Sequence, residues 1–140
     1  MTHTVFFVPQ DHCRAVWPRV RELLEPAIAA SNGRWRSEYV LSALVLGEQN
    51  LWTVVDEEGE AEGAATTQIV QYPERRMLAI HFLGGEGFDD WYPQLLETLT
   101  DYATKAGCDA IECNARFGFW KWFKDDGFEK TSCFYEKELK

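Results

Sequence analysis

A chain of 140 residues that is 46% hydrophobic, with six Trp, five Tyr and nine Phe, is long enough for one packed core and too short for two ordinary domains. Its formal charge of −9 argues against general nucleic-acid binding, which draws its affinity from Lys and Arg on phosphates. No stretch approaches the roughly 18 apolar residues of a membrane span. The opening "MTHTVFFVPQ" lacks a basic start followed by a long apolar run, so the expectation is one soluble, cytoplasmic domain over residues 1–140. Cys13, Cys108, Cys113 and Cys133 show no C-x-x-C pairing, which predicts free thiols in a reducing compartment and no metal site.

"TVFFVP" (Thr4 to Pro9) is β-branched, aromatic and closed by a proline, and reads as a first strand. Val16, Trp17, Val20, Leu23, Leu24, Ala27 and Ile28 then fall at helical spacing, with Pro18 expected in the first turn and Pro26 near the end. "SNG" at Ser31 to Gly33 stops that helix. Ser37 is placed to cap a second helix that carries Val40, Leu41, Leu44 and Val45 inward and ends at Gly47. Three strands follow, Leu51–Asp56, Ala61–Tyr72 and Arg76–Leu83, joined by the turns "DEEGE" and "PERR" into an antiparallel meander. Strict alternation puts Leu78, Ile80 and Phe82 on one face of the third, and Met77, Ala79, His81 and Leu83 on the other.

The stretch "LAIHFLGGEGFDDWYPQLLETL" runs from that strand through Gly84, Gly85 and Gly87 into a third helix ending at Gly107. Glycines permit close backbone approach, and a helix start presents unpartnered amides with partial positive charge, so the arrangement suits an anion. Glu86, Asp89 and Asp90 oppose one, and Asp89 or Asp90 is the other candidate for that helix start, as its cap. "CDAIECNA" reads as a fifth strand, "FGFWKWFKDD" as a short helix and "EKTSCFYEKEL" as a last strand. The expected order is β-α-α-β-β-β-α-β-α-β, with a parallel pair across the third helix.

This order resembles the GNAT superfamily, the Gcn5-related N-acetyltransferases. The resemblance rests on "LWTVVDEEGEAEGAATTQIV", on "IHFLGGEGFDDWYPQLLETLTDYATKAGC" and on "IECNARFGFWKWFKDDGFEK". Within it the chain is similar to a divergent branch of tailed-phage proteins with an "R-x-G-W"-like step, here Arg116 to Phe119, and a closing "EKEL". The resemblance implies a mixed α+β fold, mostly antiparallel, with strands four and five splayed around an acyl-CoA. It also implies acyl transfer from acetyl-CoA, or another acyl-CoA, to a small-molecule or protein amine.

In this sequence the positions implied for the cosubstrate are Leu83, Gly84, Gly85, Glu86, Gly87 and Phe88, with Asn114 and Arg116 at the cleft mouth. The family's usual Gln or Arg at the front of the loop is replaced by Phe82 and Leu83. The family's proton-donating Tyr is replaced by Phe123, leaving Tyr135 or Tyr102 for that role. His81 and Glu112 are the candidate bases, each with a structural alternative: His81 as a hydrogen-bonded core residue, Glu112 as a partner of Arg116. Asn114 could equally cap the next helix. The alternative from another class is a non-catalytic GNAT-like phage protein, a structural or host-interaction factor. The last strand leaves both a homodimer and a monomer open, since Glu136, Lys137, Glu138 and Lys140 would blunt its edge.

Overall fold

The computed structural model describes residues 2–140. Strand β1 (Thr4–Val8) passes through a single 3-10 turn into helix α1 (Cys13–Ala29), and α2 (Ser37–Val45) follows. The meander is β2 (Asn50–Val55), β3 (Ala61–Gln71) and β4 (Arg76–Gly85). Then come α3 (Phe88–Lys105), β5 (Ala110–Cys113), a 3-10 turn at Phe117–Phe119 and the one-turn α4 (Trp120–Phe123). The sheet order is β1-β2-β3-β4-β5, antiparallel except for the parallel β4–β5 pair, as the crossover predicts.

Two apolar layers sandwich the sheet. Trp17, Val20, Leu24 and Ile28 of α1, with Val40 and Leu44 of α2, pack on Leu51, Ala64 and Phe82. On the other face Trp91, Leu95, Leu99 and Ala103 of α3 pack on Trp52, Val54, Leu78, Ile80 and Leu83. Helix α1 begins earlier than expected, which moves Pro18 into its second turn. Ser37 is the first residue of α2 rather than its cap; Arg36 precedes it in extended conformation and no side chain caps the helix.

A break in alternation positions the rest. Thr66 pairs with Phe82 and Thr67 with Ile80, so His81 is an extra residue in β4, a β-bulge. Leu78, Ile80 and Leu83 therefore lie on the α3 face while Phe82 lies on the α1–α2 face, which corrects both the expected grouping of Phe82 with Leu78 and Ile80 and the expected placing of Leu83 opposite them. A bulge also bends its strand, and β5 pairs with β4 only from Met77–Ala110 to Ile80–Cys113, stopping one residue short of His81. From His81 to Gly85, β4 continues past β5, which ends at Cys113 and is paired with β4 over its whole length, so the open edge there comes from the end of β5 and not from two strands splaying apart.

The order holds up to its last member. Residues 129–140 form no strand, and all are exposed. Phe128 stacks on Phe123 at 4.6 Å and the Lys130 ammonium lies over Trp120, steering the chain off α4. Arg34, in the α1–α2 connection, then holds Glu136 as an ion pair and Phe134 beneath its guanidinium. The tail is thus drawn away from β5, whose outer edge has no strand beside it among the described residues.

Candidate functional site

Where β5 ends at Cys113, β4 runs on with a free edge, a one-sided fork that begins at His81. Across three strands Gln68, Ala79 and Glu112 stand in register, so their side chains share the face opposite α3. His81 Nε2 lies 2.8 Å from Gln68 Oε1, and the Tyr72 hydroxyl donates to Glu112 Oε2 at 2.9 Å. The Glu112 carboxylate in turn raises the Tyr72 pKa. An open hollow of about 350 Å³ adjoins this row, lined by Tyr72, Pro73, Glu74, Arg75, Met77 and Glu112. His81 and Glu112, the two candidate bases, are therefore brought to one place. Glu112 takes Tyr72 as its partner, not Arg116, whose guanidinium lies over the Phe119 ring at 5.2 Å.

Burial lowers the His81 pKa from its ordinary 6.5, and Glu112 acts in the opposite sense. The neutral imidazole is favoured in the fold, so between the lowered value and about 6.5 the unfolded chain binds more protons. Stability should accordingly fall as pH drops below about 6.5 through that window and be unaffected by His81 above it. Urea melts of the wild type and His81→Gln from pH 5 to 7.5 check this: the wild type should lose more stability toward acid than the variant.

On the opposite face α3 begins at Gly87, whose φ of +64° is a left-handed conformation open to glycine and costly for most side chains. No side chain caps this helix. Asp89 instead accepts a short hydrogen bond from the Trp122 indole, so it does not cap the helix. The carboxylate oxygen of Asp90 lies 3.4 Å, and that of Glu62 3.9 Å, from where a Gly87 side chain would begin. Glu62 is itself a bulge residue, skipped between Ala61 and Gly63 in the pairing with β2, and it bonds the buried His3 ring at 3.1 Å. The helix start thus combines free amides with two carboxylates.

Aromatic rings close over it. Phe88 lies 4.5 Å from Trp122, 5.3 Å from Phe119 and 4.8 Å from Tyr92, centroid to centroid. Phe123 is buried between Phe119, Phe128 and Tyr92. The Tyr92 hydroxyl is buried with no hydrogen-bond partner; burial chiefly, and then the nearby Asp126 carboxylate, push its pKa upward. It stands beside Phe123, and sequence reasoning missed it because Tyr92 falls on the apolar stripe of α3. Burial also pushes the Cys113 thiol, where β5 ends, up to about 12, which keeps it protonated.

The other proposed residues are dispersed. Leu83 belongs to the α3-side core, Gly84 packs against the α1 backbone, and Gly85 packs against β3. The Glu86 amide donates to the Glu62 carbonyl and its own carbonyl accepts from Trp91. Asn114 is exposed and caps neither following turn. Tyr135 is 90% exposed in the tail, and Tyr102 lies fourteen residues into α3, roughly 21 Å along its axis, where its hydroxyl accepts from Asn50.

No family model and no curated protein sequence matches the chain. Solved structures match it over nearly its whole length. A candidate acetyl transferase from Pyrococcus furiosus superposes with a TM-score of 0.74 at 16% identity, over 99% of this chain and 100% of that one. An aminoglycoside acetyltransferase from an uncultured soil metagenomic sample gives 0.72 at 14%, over 100% of both chains. A Clostridium acetobutylicum protein assigned as an acetyltransferase, solved with acetyl-CoA, gives 0.69 at 14%, over 99% of this chain and 97% of that one. This is a likeness of fold, and the chain has the acetyltransferase fold of the GNAT type.

Proposed function

We propose that this chain, built on the GNAT fold, transfers an acyl group, acetyl first among the candidates, from an acyl-CoA to an amine. The observation that carries the reading is the fork: β4 runs on past its last pairing with β5 at Ile80–Cys113 and leads straight into the uncapped start of α3. The β4 backbone from His81 to Gly85 has hydrogen-bonding capacity that β5 does not take up, which suits an extended pantetheine arm. The amides at the start of α3 suit the diphosphate. The polar row of Gln68, His81 and Glu112 lies on the opposite face, so the amine would reach the thioester from the side away from α3, through the hollow beside Glu112.

In this reading the amine attacks the thioester carbonyl directly, and its proton passes to a base at the fork. Carbon–sulfur cleavage then releases a thiolate, which takes up a proton. Phe123 has no proton to give, and the Tyr92 hydroxyl beside it, with its pKa pushed upward, can donate a hydrogen bond to the thiolate while the proton itself comes from solvent. The negative net charge draws cationic acceptors. A specific observation favours a second reading, a chain of this fold without catalysis: Phe88, Phe119 and Trp122 fill the space over the α3 start.

Acetyl-CoA titration separates the two. Binding should raise the melting temperature, by the equivalent of about 2.7 kcal/mol at a hundredfold excess over Kd. It should also change the Trp122 emission, because the indole must leave Asp89 to admit a diphosphate. A melting temperature unmoved by acetyl-CoA and by CoA, with Trp122 emission constant against a Trp122→Phe control, leaves the closed, non-catalytic reading standing.

A further inference from the structure

We infer that Gln68 is a positioning residue that fixes the His81 imidazole as its Nε2–H tautomer, leaving Nδ1 as the base that takes the proton of the acceptor amine. The role of the base rests on the acyl-transfer reading; the tautomer rests on the His81–Gln68 contact and the orientation of the Gln68 amide in it. Two ring nitrogens cannot both accept in the neutral state, and which one carries the proton is set by the hydrogen bond the other makes. Here Nε2 faces the Gln68 carbonyl oxygen at 2.8 Å. With the Gln68 amide oriented as it is here, its oxygen can only accept, and that orientation assigns the proton to Nε2.

Three further features agree with this. Gln68 is held by the sheet, opposite Ala79 in the β3–β4 register, while His81 is turned toward it by the bulge. The buried polar atoms without a partner include His3 Nδ1 but not His81 Nδ1, which has no protein partner either and therefore remains open to an incoming group. A carbonyl at Nε2 also serves both protonation states, because Nε2 is a donor in the imidazole and in the imidazolium. A proton can thus arrive at Nδ1 without Gln68 having to turn.

The charge acting on the ring is Glu112, from β5; β3 supplies the uncharged Gln68, the β3–β4 turn supplies the Tyr72 hydroxyl bonded to Glu112, and no charge from α1 or α2 contributes. A carboxylate in place of Gln68 would instead hold the ring protonated and spend its basicity. In the proposed step the ammonium passes a proton to Nδ1. The freed nitrogen lone pair forms the C–N bond, the C–S bond breaks with its electron pair on sulfur, and the second proton that nitrogen sheds as the amide forms passes through solvent to the departing thiolate.

The test is long-range 1H–15N NMR on the full chain labelled at its three histidines, with His81 assigned by the loss of its signals in His81→Gln. At a pH above its titration His81 should show the Nε2–H pattern. Gln68→Leu should turn this into a mixed or reversed pattern, and Gln68→Glu should raise the His81 pKa by about one unit or more. In acetyl transfer, Gln68→Leu should lower kcat by about 10²-fold with the acetyl-CoA KM unchanged. Gln68→Glu should move the acid limb of the pH profile upward.

A Nδ1–H pattern in the wild type overturns the inference, as does a tautomer unmoved in both variants, whatever the activity. Normal acetyl-CoA binding with the wrong tautomer removes Gln68's role alone. The expected tautomer in a chain that binds no acetyl-CoA removes the acyl-transfer reading, and the base with it.

Discussion

Gly84→Ala should destabilise the fold by at least about 3 kcal/mol, near 10 °C in melting temperature, and Gly85→Ala should do so at least as strongly. A side chain on Gly84 would begin 2.4 Å from the Leu23 carbonyl oxygen of α1, and one on Gly85 would begin 2.2 Å from the Glu62 carbonyl oxygen of β3. In both cases the obstacle is backbone inside a sheet–helix layer, which cannot swing aside as a surface side chain can. Gly85 adds a φ of +148°, which side-chain-bearing residues rarely adopt. Thermal melts decide the matter: a Gly84→Ala chain melting within about 2 °C of the wild type would mean that α1 does not approach β4 this closely. The practical consequence is that substituting either glycine cannot probe anion binding, because loss of ligand and loss of fold would look alike.

That result also shows what the loop's sequence could and could not convey. Three glycines between a strand and a helix were legible as close backbone approach, but the sequence does not say which partner does the approaching. For Gly84 and Gly85 the partner is the protein's own backbone, and only Gly87 has the free surroundings and left-handed conformation of a helix start. The meander, the parallel crossover and both apolar layers were readable because periodicity and turn residues are local signals. The bulges were not, because an extra residue in one strand is defined only by its partner's register. His81 and Glu62 are both such residues. Missing the first put Phe82 on the wrong face, and missing the second hid a carboxylate that faces the α3 start. The last strand failed for a different reason: "CFYEKEL" has strand composition, but composition does not reveal that Arg34 intercepts Phe134 and Glu136 before the segment can reach β5.

The joint variant Glu62→Gln, Asp90→Asn should bind acetyl-CoA roughly 10- to 100-fold more tightly than the wild type at low ionic strength. The two carboxylates flank the amides at Gly87 and are not members of the polar row at the fork. At separations near 8 Å and an effective dielectric of about 40, each negative charge opposes another by about 1 kcal/mol, and a diphosphate carries more than one. The gain should shrink as salt approaches 0.1 M and above, where the screening length is about 10 Å. Acetyl-pantetheine, which has no diphosphate, should bind wild type and variant alike. Glutamine at position 62 keeps a bonding partner for the buried His3 ring, so the fold should survive the change. Tighter binding of acetyl-CoA alone would place the diphosphate at the start of α3 and make Glu62 and Asp90 the groups that oppose it. Equal gains for acetyl-CoA and acetyl-pantetheine would point to relief at the Trp122–Phe88 contact instead, since opening those rings favours any ligand that enters the fork. No gain for either would remove the α3 start from the binding site altogether.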